Sequence, residues 1–115
     1  MSSKNFSLDN LRQYDEIFGR EKMLRLFSEY RQKAETDLSR TEELLKNEKT
    51  EELRLIYHSL RSSSQVFGMM GFSFACQDIE QRILDGETSE KLDKFIGLSR
   101  QIYEQELVDV VTFLK

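Results

Sequence analysis

The only histidine of this 115-residue chain, His58, opens the run HSLRSSSQVFG at residues 58–68. An imidazole nitrogen is a good nucleophile near neutral pH, where much of the ring is unprotonated. Arg61, one helical turn further on, carries a permanent charge and a fork of donors that fits phosphoryl oxygens. Ser62 and Gln65 can donate to the same oxygens, and Ser62 is small enough to let a second protein cover the ring. Arg54 adds positive potential one turn earlier, and Met69 offers an exposed, adaptable apolar contact. The chemistry such a set could do is acceptance of a phosphoryl group on nitrogen. A lone exposed helical histidine is more often a plain surface residue, and Arg54 and Arg61 alone are ordinary solvated positions. No metal site is expected, because there is no second histidine and Cys76 belongs to another helix.

A helix must hold these residues on one side. At about 100° per residue, Ile56, Leu60 and Phe67 fall opposite His58, with Leu53, Ser63 and Ser64 flanking them. That is the core face, and His58 points to solvent. Ser63 and Ser64 let another helix approach closely, and their hydroxyls can bond back to carbonyls one turn earlier.

The remaining elements follow from caps and stripes. Residues 1–6 read as a flexible tail. Ser7 or Asp9 caps a short first helix that ends near Phe18, with Gly19 as its stop. A second helix over residues 20–47 carries Met23, Phe27, Tyr30, Ala34, Leu38, Thr41 and Leu45 at alternating spacings of three and four. Thr50 caps a third helix over residues 51–68, with Glu51 and Glu52 at its positive end. A fourth begins near residues 70–72, places Phe72, Ala75 or Cys76, Ile79 and Ile83 on one face, and ends at Asp85-Gly86. Thr88 or Ser89 starts the last, whose inner stripe is Leu92, Ile96, Tyr103, Leu107, Val110 and Leu114. Short connections make neighbours antiparallel. The expected architecture is all-α: an up-and-down antiparallel four-helix bundle with a short extra N-terminal helix, as one domain over residues 1–115.

Composition narrows the function classes. With no proline and five glycines, long helices are allowed and a turn-rich β fold is disfavoured. A net charge of −4 argues against a general nucleic-acid binder. One cysteine excludes an intrachain disulfide framework and suits a reducing compartment. The N-terminus lacks a secretory signal, and the least polar run, residues 66–76, is far short of the roughly 20 residues that span a bilayer. A soluble, cytoplasmic protein is expected. No GxxxxGK[ST] loop or Gly-rich dinucleotide turn is present, so no nucleotide or other cofactor is expected.

The wider segment YHSLRSSSQVFGMMGFSFACQDIE, residues 57–80, resembles the histidine-containing phosphotransfer (HPt) domains of multistep phosphorelays. Those domains have histidine, any residue, an apolar residue, lysine, then glycine, followed by small residues and a second glycine ten positions after the histidine. A leucine, a cysteine or alanine, and an apolar–glutamate pair follow. The matches here are His58, Leu60, Arg61, Ser63, Ser64, Gly68, Phe72, Cys76 and Ile79-Glu80. Arg61 stands where lysine is usual. Ser62 stands where glycine is usual, as is similar to the small stand-alone phosphotransfer proteins of quorum-sensing relays.

The resemblance implies a phosphocarrier, not an enzyme. His58 would accept a phosphoryl group from a receiver-domain aspartate and pass it to another receiver. The partners would be receiver domains of response regulators and of hybrid histidine kinases, and the receiver would supply the magnesium site. Arg61, Ser62, Gln65, Arg54 and Met69 would stabilise the phosphoryl group or dock the partner. Gly68 would break the chain between two helices, and Cys76 would be a packed core residue. The chain is expected to work as a monomer, without nucleic acid or membrane insertion. The alternative is a non-phosphorylated helical adaptor that docks to a receiver or kinase. A coiled-coil fragment fits less well, because Gly19, Gly68 and Gly86 interrupt the stripes.

Overall fold

A computed structural model describes residues 3–115, and these form five α-helices. They are α1 (Leu8–Phe18), α2 (Arg20–Lys46), α3 (Thr50–Gln65), α4 (Met70–Leu84) and α5 (Ser89–Leu114). α2 packs on α3, α3 on α4, α4 on α5, and α5 returns to α2, which closes a four-helix bundle; α1 lies against α2. At about 1.5 Å per residue the 27 residues of α2 span about 40 Å, close to the molecule's longest dimension of 42 Å.

The stripes decide which faces meet. All seven expected α2 positions are buried, joined by Leu44, and so are all six of α5. Phe72, Cys76 and Ile79 bury the inner face of α4. Burial pushes the Cys76 thiol well above its usual range, so it packs as a small apolar residue. Phe67 is buried against Phe27 and Tyr30, with ring centroids 5.4 and 5.0 Å away. Tyr57 is fully buried too; it sits beside the expected core stripe of α3, which is therefore one position wider than the wheel suggests.

Caps and turns set the boundaries. The Ser7 hydroxyl accepts from Asn10 N–H at 3.2 Å, and Thr88 does the same for Lys91 at 3.3 Å. Thr50 does not cap α3. It is the first helical residue, and Lys49 precedes it without a side-chain cap. α3 also stops at Gln65 instead of running to residue 68. There the Met69 N–H reaches the Ser64 carbonyl and the Gly68 N–H reaches that of Gln65, with Gly68 at φ 73°. That is a Schellman turn, which needs a residue in the left-handed region. The α2–α3 turn has the same bonds with Glu48, at φ 56°, in glycine's place.

The expected loose tail is partly docked. Of it, Met1 and Ser2 lie outside the described residues. Ser3 N–H donates to Asp109, Ser7 N–H donates to the Gly68 carbonyl at 2.8 Å, and Phe6 packs against the core. Two polar side chains were hidden within the apolar pattern of α5. Glu106 is almost fully buried and accepts from the N–H groups of Gly71 (3.0 Å) and Phe72 (2.7 Å), capping α4 from a distance. Ser99 is fully buried and bonds back to Ile96.

Candidate functional site

His58 stands on the outer face of α3 because Leu53, Ile56, Tyr57 and Leu60 fix the inner one. Its side chain is 61% exposed. Nδ1 lies 3.2 and 3.0 Å from the two carboxylate oxygens of Glu80 on α4. Nε2 has no hydrogen-bond partner among the described residues. When Nδ1–H donates to Glu80, the tautomer is set and Nε2 keeps its lone pair. The ring is thereby steered as well as exposed.

Glu80 is itself only 10% exposed in its side chain and is shared. Arg54 Nη1 donates to Glu80 Oε2 at 2.8 Å. The same guanidinium grips Glu51, through Nε (3.0 Å) and Nη2 (2.7 Å). These bonds, Glu51's first, hold Arg54 further above its usual range, and the Arg54 contact holds the Glu51 carboxyl below its own. A chain of contacts thus runs Glu51–Arg54–Glu80–His58 across two helices. Arg54 was expected to lend free positive potential. Instead its charge is matched by two carboxylates, and its side chain is 20% exposed.

Arg61 behaves differently. Among the described residues its guanidinium has no ion pair or hydrogen bond, and its side chain is half-buried beside the histidine face. Only its backbone carbonyl is engaged, accepting from the Ser73 hydroxyl at 2.7 Å. Ser62 is exposed, its hydroxyl turned back on the Ser59 carbonyl at 3.4 Å, and Ser63 bonds to the same carbonyl at 3.2 Å. Ser64 instead shares a 2.6 Å hydrogen bond with Tyr30, joining α3 to α2. Gln65 donates to Ser73 at 3.1 Å, so its amide braces the α3–α4 seam.

Met69 does not belong to this face. It is fully buried. The expectation extended the wheel of α3 past its end, but the reversal at Gly68 turns the following residue inward. The apolar surface near His58 comes from elsewhere. A groove of about 380 Å³ runs between α2 and α3, lined among others by Phe18, Leu26, Tyr30, Val66 and Phe67, with Ser59 and Ser63 on its α3 side.

Glu80 is the residue that sequence reasoning passed over. It stood in the motif as half of an apolar–glutamate pair, yet no role was drawn from it. The signal was present in the spacing. In an antiparallel helix pair that reverses around residue 69, positions 58 and 80 are equidistant from the turn and must face each other, as must 65 and 73. Both pairs are in contact.

Among the described residues, no group of three or more His, Cys, Asp or Glu side chains could hold a metal ion, and no helix is long and apolar enough to cross a membrane. No curated protein and no solved structure matches the chain. The family model of the Hpt domain matches residues 25–107, which takes in α3, α4, His58, Glu80 and most of the bundle. The chain therefore belongs to the Hpt domain family, whose members carry phosphoryl groups in phosphorelays and interact with receiver domains.

Proposed function

We propose that His58 is the phosphoacceptor, taking a phosphoryl group from an aspartyl phosphate of one receiver domain and delivering it to an aspartate of another. One observation carries most of the weight: an exposed imidazole with Nδ1 bound to a carboxylate and Nε2 left open. Attack by the Nε2 lone pair on phosphorus forms the N–P bond as the P–O bond to the donor aspartate breaks, and that aspartate leaves as a carboxylate. The proton stays on Nδ1. The ring becomes positively charged as it gains phosphorus, and the Glu80 carboxylate offsets that charge. Delivery is the reverse: a receiver carboxylate attacks, the N–P bond breaks and neutral imidazole returns.

The receiver supplies the magnesium ion and the acidic pocket. This chain supplies a positioned nucleophile, a cation at Arg61 for the phosphoryl oxygens, and a gap at Ser62 through which the pocket can close on the ring. The groove between α2 and α3 receives apolar side chains of the same partner. Its α3 wall includes Ser59, the residue next to His58 in the chain. Arg54 and Met69 have no direct part in this mechanism, because one is paired and the other is covered. The chain acts as a monomer in the cytoplasm, where receivers and their kinases meet.

Incubation with a phosphorylated receiver, or with a hybrid kinase and ATP, should label the protein. The label should be labile in acid and stable in alkali. His58→Gln should fold and take no label. Full labelling of that variant would refute the assignment. An unlabelled wild type that still binds receivers would instead favour an adaptor.

A further inference from the structure

The geometry points to Arg54 as a positioning residue that acts on the nucleophile through Glu80, without touching the phosphoryl group or the partner. The inference builds on the proposed role of His58. Its basis is the shared oxygen: Glu80 Oε2 accepts from Arg54 Nη1 at 2.8 Å and lies 3.0 Å from His58 Nδ1.

Glu80 is nearly covered, and a covered carboxylate without a cation either turns toward water or takes up a proton. Either change disarms the ring. A carboxylate that swings away releases Nδ1 from its partner. A protonated Glu80 becomes a donor: its O–H bonds to the Nδ1 lone pair without giving up the proton, so the single ring hydrogen must sit on Nε2, where it occupies the reacting lone pair. Arg54 prevents both. It supplies the matching charge and pins Oε2 with a 2.8 Å hydrogen bond. Glu51, gripped through the other edge of the same planar fork, keeps that fork from rotating. Among the described residues, Arg54 bonds to no ionisable group besides these two carboxylates, and Glu80 to none besides Arg54 and His58. With both edges of its guanidinium engaged, Arg54 has little left to offer a partner, whereas the Arg61 guanidinium has no partner among the described residues.

The test is a double-mutant cycle with Glu80, read in two ways. Nitrogen-15 NMR of the imidazole in the unphosphorylated protein reports which nitrogen carries the hydrogen. The wild type should show Nδ1–H. Arg54→Met, which keeps most of the aliphatic stem, should shift the ring toward Nε2–H and slow phosphoryl uptake from a receiver about tenfold. Arg54→Lys should recover most of the rate. In a Glu80→Gln background, where a neutral amide oxygen accepts from Nδ1–H without needing a cation, Arg54→Met should change the rate little. Equal slowing in both backgrounds would overturn the proposal and make Arg54 a direct contact. So would an unchanged tautomer in Arg54→Met with an unchanged melting temperature. Failure of the wild type to take label would refute the phosphoacceptor assignment instead, and the tautomer measurement would still decide what Arg54 does.

Discussion

Replacing Gly68 by alanine tests whether the N-terminal segment holds the turn that carries the site. Gly68 sits at φ 73°, where an L side chain costs roughly 1–2 kcal/mol. A Cβ there would also run into the backbone carbonyl of Ser7, with the Phe6 ring close by. Neither backbone can yield without parting the chains. The Ser7–Gly68 hydrogen bond is then lost, worth about 1 kcal/mol, and Phe6 loosens from the core at a cost of about 1 kcal/mol. Together the loss is about 3–4 kcal/mol, or a fall in Tm of about 12–16 °C for a domain of this size. Gly86 isolates the first contribution. It has φ 74° and nothing near its missing Cβ, so Gly86→Ala should lower Tm by only about 4–8 °C. Gly97, exposed within α5 and equally unobstructed, should gain about 1 kcal/mol on becoming alanine. Thermal melts and urea titrations of the three variants give the order directly. Deleting residues 1–7 should bring Gly68→Ala close to Gly86→Ala. If the two variants melt together in the full chain, Ser7 does not press on the turn and the docked N-terminus is wrong.

Arg61→Ala should slow phosphoryl transfer in rapid-mixing assays while shifting stability by no more than about 0.5 kcal/mol, as for other residues without partners; a variant that melts early would mean the side chain faces the core. Glu106→Gln should flatten the pH dependence of stability. Burial raises the Glu106 carboxyl above its ordinary value of 4.5 despite two backbone donors. The folded state therefore holds the proton more tightly than the unfolded one, and the stabilisation present at low pH is lost as pH rises through the raised value. The difference in urea midpoint between the variant and the wild type should thus grow in the variant's favour as pH rises above the ordinary value of 4.5, and a constant difference would contradict it. Glu48→Gly should raise Tm by about 4 °C, by relieving about 1 kcal/mol of left-handed strain at the α2–α3 turn; no change would mean the turn is already relaxed.

Much of this molecule was legible because long helices write their inner faces in spacing. The stripes of α2 and α5 lie where their periodicity puts them, and the exposure of His58 follows from the apolar residues opposite. What escaped detection depends on contacts between helices or on where a helix ends. Met69 was misplaced because a wheel has no meaning beyond Gly68. Lys49 holds the N-cap position of α3 in place of Thr50, directly after the Schellman turn at Glu48. Glu106 reads as a surface charge until one sees that α4 starts without a local cap and takes its acceptors from α5. Glu80 and Arg54 look like solvated charges on separate helices, and only the antiparallel register brings Arg54 and His58 to one oxygen of Glu80.

The most direct trial of the central assignment is correlated phosphorus-31 and nitrogen-15 NMR of the protein phosphorylated by a receiver. A phosphorus–nitrogen coupling to Nε2 of His58, with Nδ1 still carrying hydrogen, is the expected result. Phosphorus on Nδ1, or on any residue other than His58, would contradict it.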